Sequence, residues 1–240
     1  MKHRSTWVLL TLGTLLSATG AEARTVSDEL ERKLDALSNV VVHETITRFV
    51  GNRGQSKKLD EFLAVVELAD GTERYSEIRN GQRSFGSSEE VAGLWSFGEL
   101  ATVLRVTRDS VANARESYAN GERTLAFRVP ASSRRWFLRI DGKIHWLDFD
   151  GKLHVDPKTG EIQRIVWSSG TLPEQTGVDR VSWEVRFGQQ DVGGQVFTVP
   201  ERGLYRITRP GRGNRAEWNV TAFSRYERYG SDVKIQFELQ

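Results

Sequence analysis

The segment from Trp136 to Trp167 constrains the fold of this chain more than any other part of it. Three groups of turn-forming residues divide the segment: Asp141–Gly142, Asp150–Gly151 and the run Asp156–Gly160. These residue types tolerate the backbone angles of tight turns and bulges, and the runs between them are apolar and rich in aromatic residues. The segment therefore predicts consecutive antiparallel strands joined by short turns.

Other parts of the chain show the same period of two. The residues from Val181 to Phe187 and from Val233 to Leu239 alternate between apolar and polar side chains. Because successive side chains of a strand point to opposite faces, each run predicts a strand with one buried and one wet face. Val40–Val50 is rich in β-branched residues and predicts the first strand, followed by a polar loop at residues 51–58.

A hairpin is predicted next along the chain, from Phe62–Leu68, the turn at Asp70–Gly71 and Arg74–Arg79. Residues 81–93 are rich in serine, glycine and glutamate, which predicts a loop. The length of this loop makes it a candidate flap over one face of the sheet.

Two helices are expected among the strands. Ser27 is a suitable N-cap for a helix with leucines at positions 30, 34 and 37, whose single apolar stripe should dock on a sheet. A second helix is predicted from about Phe97 to Val106, because Ser96 and Glu99 have the spacing of a capping box. The flanking residues Trp95 and Leu100 fit a hydrophobic staple for that helix.

These elements predict a mainly β (β-rich α+β) domain that comprises residues 24–240. About ten strands and two helices are expected, with no internal repeat and no linker. A sheet of this size must curl, close or stack on a second layer. We expect a single strongly curved antiparallel sheet, or an incomplete barrel, with the two helices packed in or across its concave face. A two-sheet sandwich is the alternative.

The first residues predict export from the cytoplasm. The basic segment Lys2–Arg4, the apolar run Trp7–Leu16 and the small residues of Ala21–Ala23 match a signal peptide comprising residues 1–23. We expect a soluble protein that is located in the periplasm or the medium. Peripheral contact with a membrane is compatible with this location. The chain has no cysteine, so packing must hold it together, and a formal net charge of +2 makes nucleic acid an unexpected partner.

The sequence contains no pattern that is specific for catalysis. His43, His145 and His154 lie far apart without the spacing of a metal site, and no serine-nucleophile or phosphate-loop motif is present. We therefore predict no catalytic residue, no metal ligand and no cofactor. A non-enzymatic function is favoured, with enzymatic activity left open.

A family resemblance is carried by the motif Gly151-x-x-x-Val155–Gly160-x-Ile162-x-Arg164. It is similar to the strand, turn and return strand of the periplasmic half-barrel proteins that include the outer-membrane lipoprotein carriers and the envelope-stress sensor. The spacing of Thr45-x-x-Arg48 and Glu73–Tyr75 resembles a group of uncharacterised secreted proteins of soil bacteria. The resemblance implies a concave apolar face that can hold acyl chains or a hydrophobic partner peptide.

The candidate ligand-binding residues are apolar side chains expected to face this concavity. Most tryptophans and phenylalanines of a cysteine-free domain simply form its core, but some can line a cavity. The predicted set is Trp95, Leu100, Leu104, Phe127, Trp146 and Trp183. The favoured function is a periplasmic binding protein for a lipid, a lipoprotein acyl chain or another apolar ligand.

The alternative is an envelope protein–protein interaction or sensor module without a small-molecule ligand. The two hypotheses differ in the space between the sheet and the second helix. A space filled by side chains favours the interaction module.

Overall fold

The structure is a computed structural model that describes residues 18–52, 55–69, 72–91, 99–119, 121–140, 142–210 and 215–229, with the backbone alone for residues 18–25 and 89. Within these ranges lie two α-helices and thirteen β-strands. The helices are α1 (Ala18–Ala36) and α2 (Ala101–Ser110). The strands are β1 (Val40–Asn52), β2 (Gln55–Ala69), β3 (Thr72–Asn80), β4 (Arg83–Phe85), β5 (Arg115–Ala119), β6 (Glu122–Val129), β7 (Phe137–Ile140), β8 (Lys143–Trp146), β9 (Phe149–Val155), β10 (Ile162–Ser169), β11 (Arg180–Val192), β12 (Gln195–Thr208) and β13 (Ala216–Arg228).

Eleven strands form one open antiparallel sheet in the order β4-β3-β2-β1-β13-β12-β11-β10-β9-β6-β5. Neighbours in the sheet are mostly neighbours in the chain, and the pairing of β1 with β13 joins the two halves of the meander. The predicted mainly β fold with one curved, unclosed sheet and two helices is confirmed. The alternative of a two-sheet sandwich is wrong, because a single ladder of hydrogen bonds connects all eleven strands.

Strands β7 and β8 stand apart from this ladder. They pair only with each other among the described strands, and they connect the ends of β6 and β9, which are themselves paired. The β7–β8 hairpin is therefore an excursion from the rim of the large sheet.

The predicted alternation is confirmed for β11, and β1, which was predicted from its β-branched residues, has the same alternating burial. In β1, Val40, Val42 and Ile46 are buried while the intervening side chains are half-buried, and in β11 Val181 and Trp183 are buried in the same way. The buried side chains lie on one face of the sheet, which we call the concave face. Val40, Val42, Val181 and Trp183 pack with both helices in the main core, while Ile46 belongs to a second, smaller cluster of buried residues.

Helix α1 docks on the sheet, as its apolar stripe predicts. Val26, Leu30 and Leu37 are buried in the main core, and the ammonium group of Lys33 donates a hydrogen bond to the carbonyl oxygen of Thr198 in β12 at 2.9 Å. The predicted N-cap is wrong: Ser27 lies inside the helix, which begins at Ala18. The stripe of buried residues is only the docked part of a longer helix.

The predicted start of the second helix is also wrong. Helix α2 begins at Ala101, so Glu99 precedes it and cannot occupy the third helical position of a capping box. Ser96 and Trp95 lie outside the described residues. Instead, the carboxylate of Glu73 in β3 accepts hydrogen bonds from the backbone N–H groups of Ala101 and Thr102, both at 2.9 Å.

Two predicted loops contain strand structure. Residues 51–58 were expected to form a loop, but β1 runs to Asn52 and β2 begins at Gln55, and these two residues pair. The prediction failed because a hairpin end exposed on both faces has the polar composition of a loop. Within the predicted loop at residues 81–93, β4 extends the sheet and Val91 is buried against Ile46 and Phe62. The strand predicted at Val233–Leu239 lies outside the described residues.

Aromatic side chains dominate the main core beneath the hairpin. Trp136, directly before β7, packs edge-to-face on Trp183 at 4.5 Å and on Trp167 at 5.2 Å between ring centroids. The Phe127 ring lies 6.3 Å from Trp167 and covers Gly151 of the neighbouring strand, where a Cβ atom would overlap it. Gly151 lies inside β9, so the predicted turn at Asp150–Gly151 is wrong, and the glycine is instead required by the packing of the Phe127 ring.

We predict that Gly151→Ala lowers the free energy of unfolding by about 1–3 kcal/mol, because the added methyl group overpacks against a ring that has no free space to move into. Urea unfolding measures the change. Gly170→Ala is the matched control, since nothing lies within 4 Å of a Cβ atom there, and its effect should stay within about 0.5 kcal/mol. Equal effects of the two substitutions would contradict this account of the core.

Candidate functional site

The predicted ligand-binding residues divide into two groups in the structure. Leu100, Leu104, Phe127 and Trp183 are buried on the concave face and belong to the main core. Trp146 is 39% exposed on the β7–β8 hairpin. Trp95 lies outside the described residues. That any of them contacts a ligand stays a prediction.

Side chains fill the space between α2 and the sheet. Leu100 and Leu104 have no exposed surface, and Val103 and Val106 of the same helix are buried beside them. The helix presents these residues to the concave face, where strand residues of the main core meet them. This filled interior favours the interaction hypothesis over an enclosed ligand.

One carboxyl group lies in this interior without a hydrogen bond. Glu44 of β1 is 1% exposed, pairs across the ladder with Phe223, and neither of its carboxyl oxygens has a hydrogen-bond partner among the described atoms. Burial raises the pKa of Glu44 well above its ordinary value, and the nearby carboxylates of Glu99 and Glu73 raise it further. The group is therefore held in its neutral form well above the pH at which an exposed glutamate ionises.

The two neighbouring carboxylates bind groups from distant parts of the chain. Glu99 lies over Gly203 of β12, and its Oε1 atom accepts a hydrogen bond from the indole N–H of Trp183 at 2.9 Å. Glu73 caps the N-terminus of α2 and also accepts a hydrogen bond from the hydroxyl of Tyr75 at 3.2 Å. Both carboxylates thereby tie the α2 region to the sheet.

The β7–β8 hairpin has one packed and one exposed face. Leu138 and Ile140 pack against the main core on its inner face. Phe137, Ile144 and Trp146 lie on its outer face and are 43%, 47% and 39% exposed. We call these three residues, together with Arg139 opposite Ile144, the docking face.

The docking face is an ordered apolar surface. Phe137 and Trp146 are paired across the hairpin, and their rings pack edge-to-face with centroids 5.3 Å apart. The guanidinium group of Arg139 lies 6.0 Å from the centre of the Phe137 ring. Trp136 holds the base of the hairpin in the core, so the docking face is fixed relative to the sheet.

Basic side chains surround the docking face. Arg134 and Arg135 are exposed directly before the hairpin, and Arg139 and Lys143 are exposed within it. Arg135 forms an ion pair with Asp109 of α2 at 3.2 Å. Residues 134–146 carry four basic side chains and one acidic side chain, while the formal charge of the whole chain is +2. The hairpin is thus a local basic patch on a nearly neutral protein.

Phe137 and Ile144 are residues that the sequence interpretation missed as candidates. The sequence does contain a signal for these two residues, because the segment Phe137–Trp146 has apolar residues at both odd and even positions. A surface hairpin can bury only one of its faces, so apolar residues on both predict an exposed patch. Assigning the aromatic residues either to the core or to the lining of a cavity concealed this.

The histidines remain separate. His154 pairs with Glu122 and lies 3.0 Å from the guanidinium group of Arg164, while His145 lies on the inner face of the hairpin opposite Leu138. Within the described part of the chain, no three histidine, aspartate or glutamate side chains are grouped as a metal site would require. No described α-helix has the length and apolar character needed to span a membrane.

Comparison with known proteins finds related shapes only. No family model and no curated sequence matches the chain. A DUF1329 family protein from Desulfovibrio piger aligns with a TM-score of 0.39 and 15% identity, covering 89% of this chain and 95% of that one. A LolA superfamily protein from Nitrosomonas europaea aligns with a TM-score of 0.42 and 10% identity, covering 85% and 94%. The MucA/MucB complex from Pseudomonas aeruginosa gives a TM-score of 0.20 and 12% identity, covering 83% and 94%.

These structures include a LolA superfamily protein, in line with the distant resemblance that the motifs predicted. At such identities and scores, the likeness concerns the course of the chain. It carries no information about a ligand or a partner.

We predict that the stability of the protein falls as the pH rises, because of Glu44. Its pKa in the folded protein is above the ordinary value of 4.5, at which the unfolded chain ionises. The contribution of Glu44 to the free energy of unfolding is therefore fully present below that pH and is lost as the pH rises toward the pKa of the folded protein. The loss is about 1.4 kcal/mol per pH unit, because one proton is involved. Urea unfolding of the wild type and of Glu44→Gln between about pH 5 and pH 9 tests this. The variant should lose less stability over that range.

Glu61→Gln is the control for this pH series. Glu61 is exposed, and hydrogen bonds from Lys58 and Thr47 lower its pKa, so its contribution changes only as the pH falls into the acidic range. Its substitution should leave the slope above about pH 5 unchanged. If Glu44→Gln also leaves that slope unchanged, the buried carboxyl group is not its cause.

Proposed function

We propose that this protein is a non-catalytic envelope protein that acts by docking on a partner surface through the β7–β8 hairpin. The observation that carries the proposal is the docking face itself, where Phe137, Ile144 and Trp146 remain exposed on an ordered hairpin. The concave face, where an enclosed ligand was expected, is instead packed with side chains of α2 and the sheet.

The docking face is not required by the fold. Its three apolar side chains point away from the core, while Leu138 and Ile140 supply the packing of the hairpin on the sheet. Contiguous exposed apolar surface promotes aggregation and marks an interaction site when it occurs on an ordered element. An aromatic pair also contributes a large contact area at a small cost in conformational entropy.

The docking face is prepared for contact before any partner arrives. Strands β7 and β8 pair from Phe137 to Ile140, and the buried indole of Trp136 fixes the base of the hairpin between two other tryptophans. Little conformational freedom of the backbone is then lost on binding, which raises affinity for a given contact area.

Export to the envelope is part of the proposal. The predicted signal peptide comprises residues 1–23, and the described contacts of α1 with the core start at Val26. Cleavage after Ala23 would therefore leave these contacts in place. The mature domain would be residues 24–240, in the periplasm.

We predict that a photo-crosslinking amino acid at position 144 forms an adduct with an envelope component in a Gram-negative host that exports the full chain. The same amino acid at position 196 is the control, because Val196 is 67% exposed and lies on β12, outside the hairpin. Mass spectrometry of the irradiated protein identifies protein or lipid adducts. Equal yields at the two positions, or none at either, would refute docking through the hairpin.

A second candidate function is the binding of an apolar ligand that carries a hydrogen-bond donor. Glu44 favours it, because a buried carboxyl group without a hydrogen-bond partner is uncommon in a protein core and can be satisfied by a ligand. The indole N–H of Trp167 and the hydroxyl of Thr221 are also buried without a hydrogen-bond partner among the residues that the structure describes. Such a ligand would have to displace side chains that now fill the interior.

Solvent extraction of the purified protein followed by mass spectrometry tests the second candidate, together with displacement of a fluorescent fatty acid. Co-purified lipid and displacement that weakens in Glu44→Leu would support a ligand site in the concave face. A protein free of lipid that releases no probe would eliminate it.

A further inference from the structure

We infer that the surface bound by the docking face is an anionic phospholipid bilayer. This inference rests on the proposed docking function and names the partner. It follows from three observations: the types of apolar side chain on the outer face, the charges around them, and the small size of the apolar area.

The exposed side chains are types that favour the membrane–water interface. Tryptophan is enriched at the level of the lipid head groups, where its indole N–H keeps a polar partner, and phenylalanine is common on the apolar face of interfacial elements. Phe137 and Trp146 form one cross-strand pair, and Ile144 extends the same face toward the turn. The three side chains can therefore enter the interface together.

The charges complement a negatively charged surface. Arg139 lies on the outer face itself, Lys143 lies beside the turn, and Arg134 precedes the hairpin, all of them exposed. Basic groups within a Debye length of an anionic membrane are attracted to it. Because residues 134–146 carry a formal charge of +3 on a chain of +2, the remainder of the protein is slightly acidic. Attraction to such a membrane would therefore orient the hairpin toward it.

The size of the apolar area favours a membrane over a folded protein. A stable protein–protein interface buries about 800 Å² on each partner and needs a complementary surface. The docking face offers three partly exposed apolar side chains on a hairpin of four-residue strands. A bilayer can bind such a small apolar element without offering a matching pocket. The neighbouring basic side chains add electrostatic affinity for anionic lipids.

Flotation of the mature chain, residues 24–240, with lipid vesicles tests the inference. The probes are vesicles of phosphatidylcholine alone and vesicles that contain about 30% phosphatidylglycerol, each at low salt and at about 0.5 M NaCl, where charges are screened. We expect at least about tenfold more protein on the anionic vesicles at low salt, and loss of most of that difference at high salt.

Two hairpin variants separate the apolar and the basic contributions. Phe137→Ser/Ile144→Ser/Trp146→Ser removes the apolar contact, and Arg139→Gln/Lys143→Gln removes charge while keeping that contact. Each should lower binding to anionic vesicles by about tenfold. Near-ultraviolet circular dichroism and a urea midpoint check that each variant is folded, and the charge variant tests the inference even if the apolar one fails to fold.

Leu63→Ser/Val196→Ser is the matched control. Both residues are exposed apolar side chains outside the hairpin, 55% and 67% exposed, so this variant removes comparable apolar surface elsewhere. It should bind anionic vesicles as the wild type does. Equal losses in the control and the hairpin variants would overturn the inference.

The outcomes also distinguish this inference from the docking function on which it rests. Absence of vesicle binding together with a position-specific protein adduct at residue 144 would overturn the membrane as partner and leave docking intact. Absence of both vesicle binding and any adduct would overturn both. Salt-sensitive binding that depends on the hairpin would support both.

Discussion

The packing of Trp136 against Trp167 and Trp183 is the interaction on which the hairpin and much of the concave face depend. The two partner residues lie on β10 and β11 of the large sheet, while Trp136 lies at the start of the excursion between β6 and β9. One buried indole thus fixes a hairpin whose described strands pair only with each other. Leu138 and Ile140 on the inner face of the hairpin are half-buried against the core, and its outer face points to solvent.

A second constraint is the polar interior beside α2. Glu73 reaches from β3 to cap the helix, and Glu99 reaches from the turn before the helix to the indole of Trp183. These bonds connect elements far apart in the chain, and they place two carboxylates near Glu44. The neutral state of Glu44 follows from this arrangement, because burial disfavours its charged form and the neighbouring Glu99 and Glu73 raise its pKa further. The two glutamates that position α2 therefore also contribute to the pH dependence of stability.

The strand pattern was predictable because it depends on local properties. The period of two in β11 identifies which side chains share a face, and the turn-forming residues at 156–160 mark where the chain reverses between β9 and β10. The candidate site was predictable only in part. Leu100, Leu104, Phe127 and Trp183 lie on the concave side, but composition cannot distinguish the lining of a cavity from the interior of a core, so their contact with a ligand stays a prediction. The same holds for Trp146, whose ring lies on the exposed face of the hairpin.

The helix boundaries illustrate why the remaining details were not predictable. Ser96 and Glu99 have the spacing of a capping box, yet α2 begins at Ala101 because a glutamate from a distant strand caps it. Local sequence by itself determined the period, the turns and the antiparallel meander, since these depend on backbone angles and on neighbouring side chains. Only the tertiary structure decided which apolar residues are covered, which carboxyl group is neutral and which face of the hairpin is exposed. Each of these depends on contacts between residues that the chain brings together from far apart.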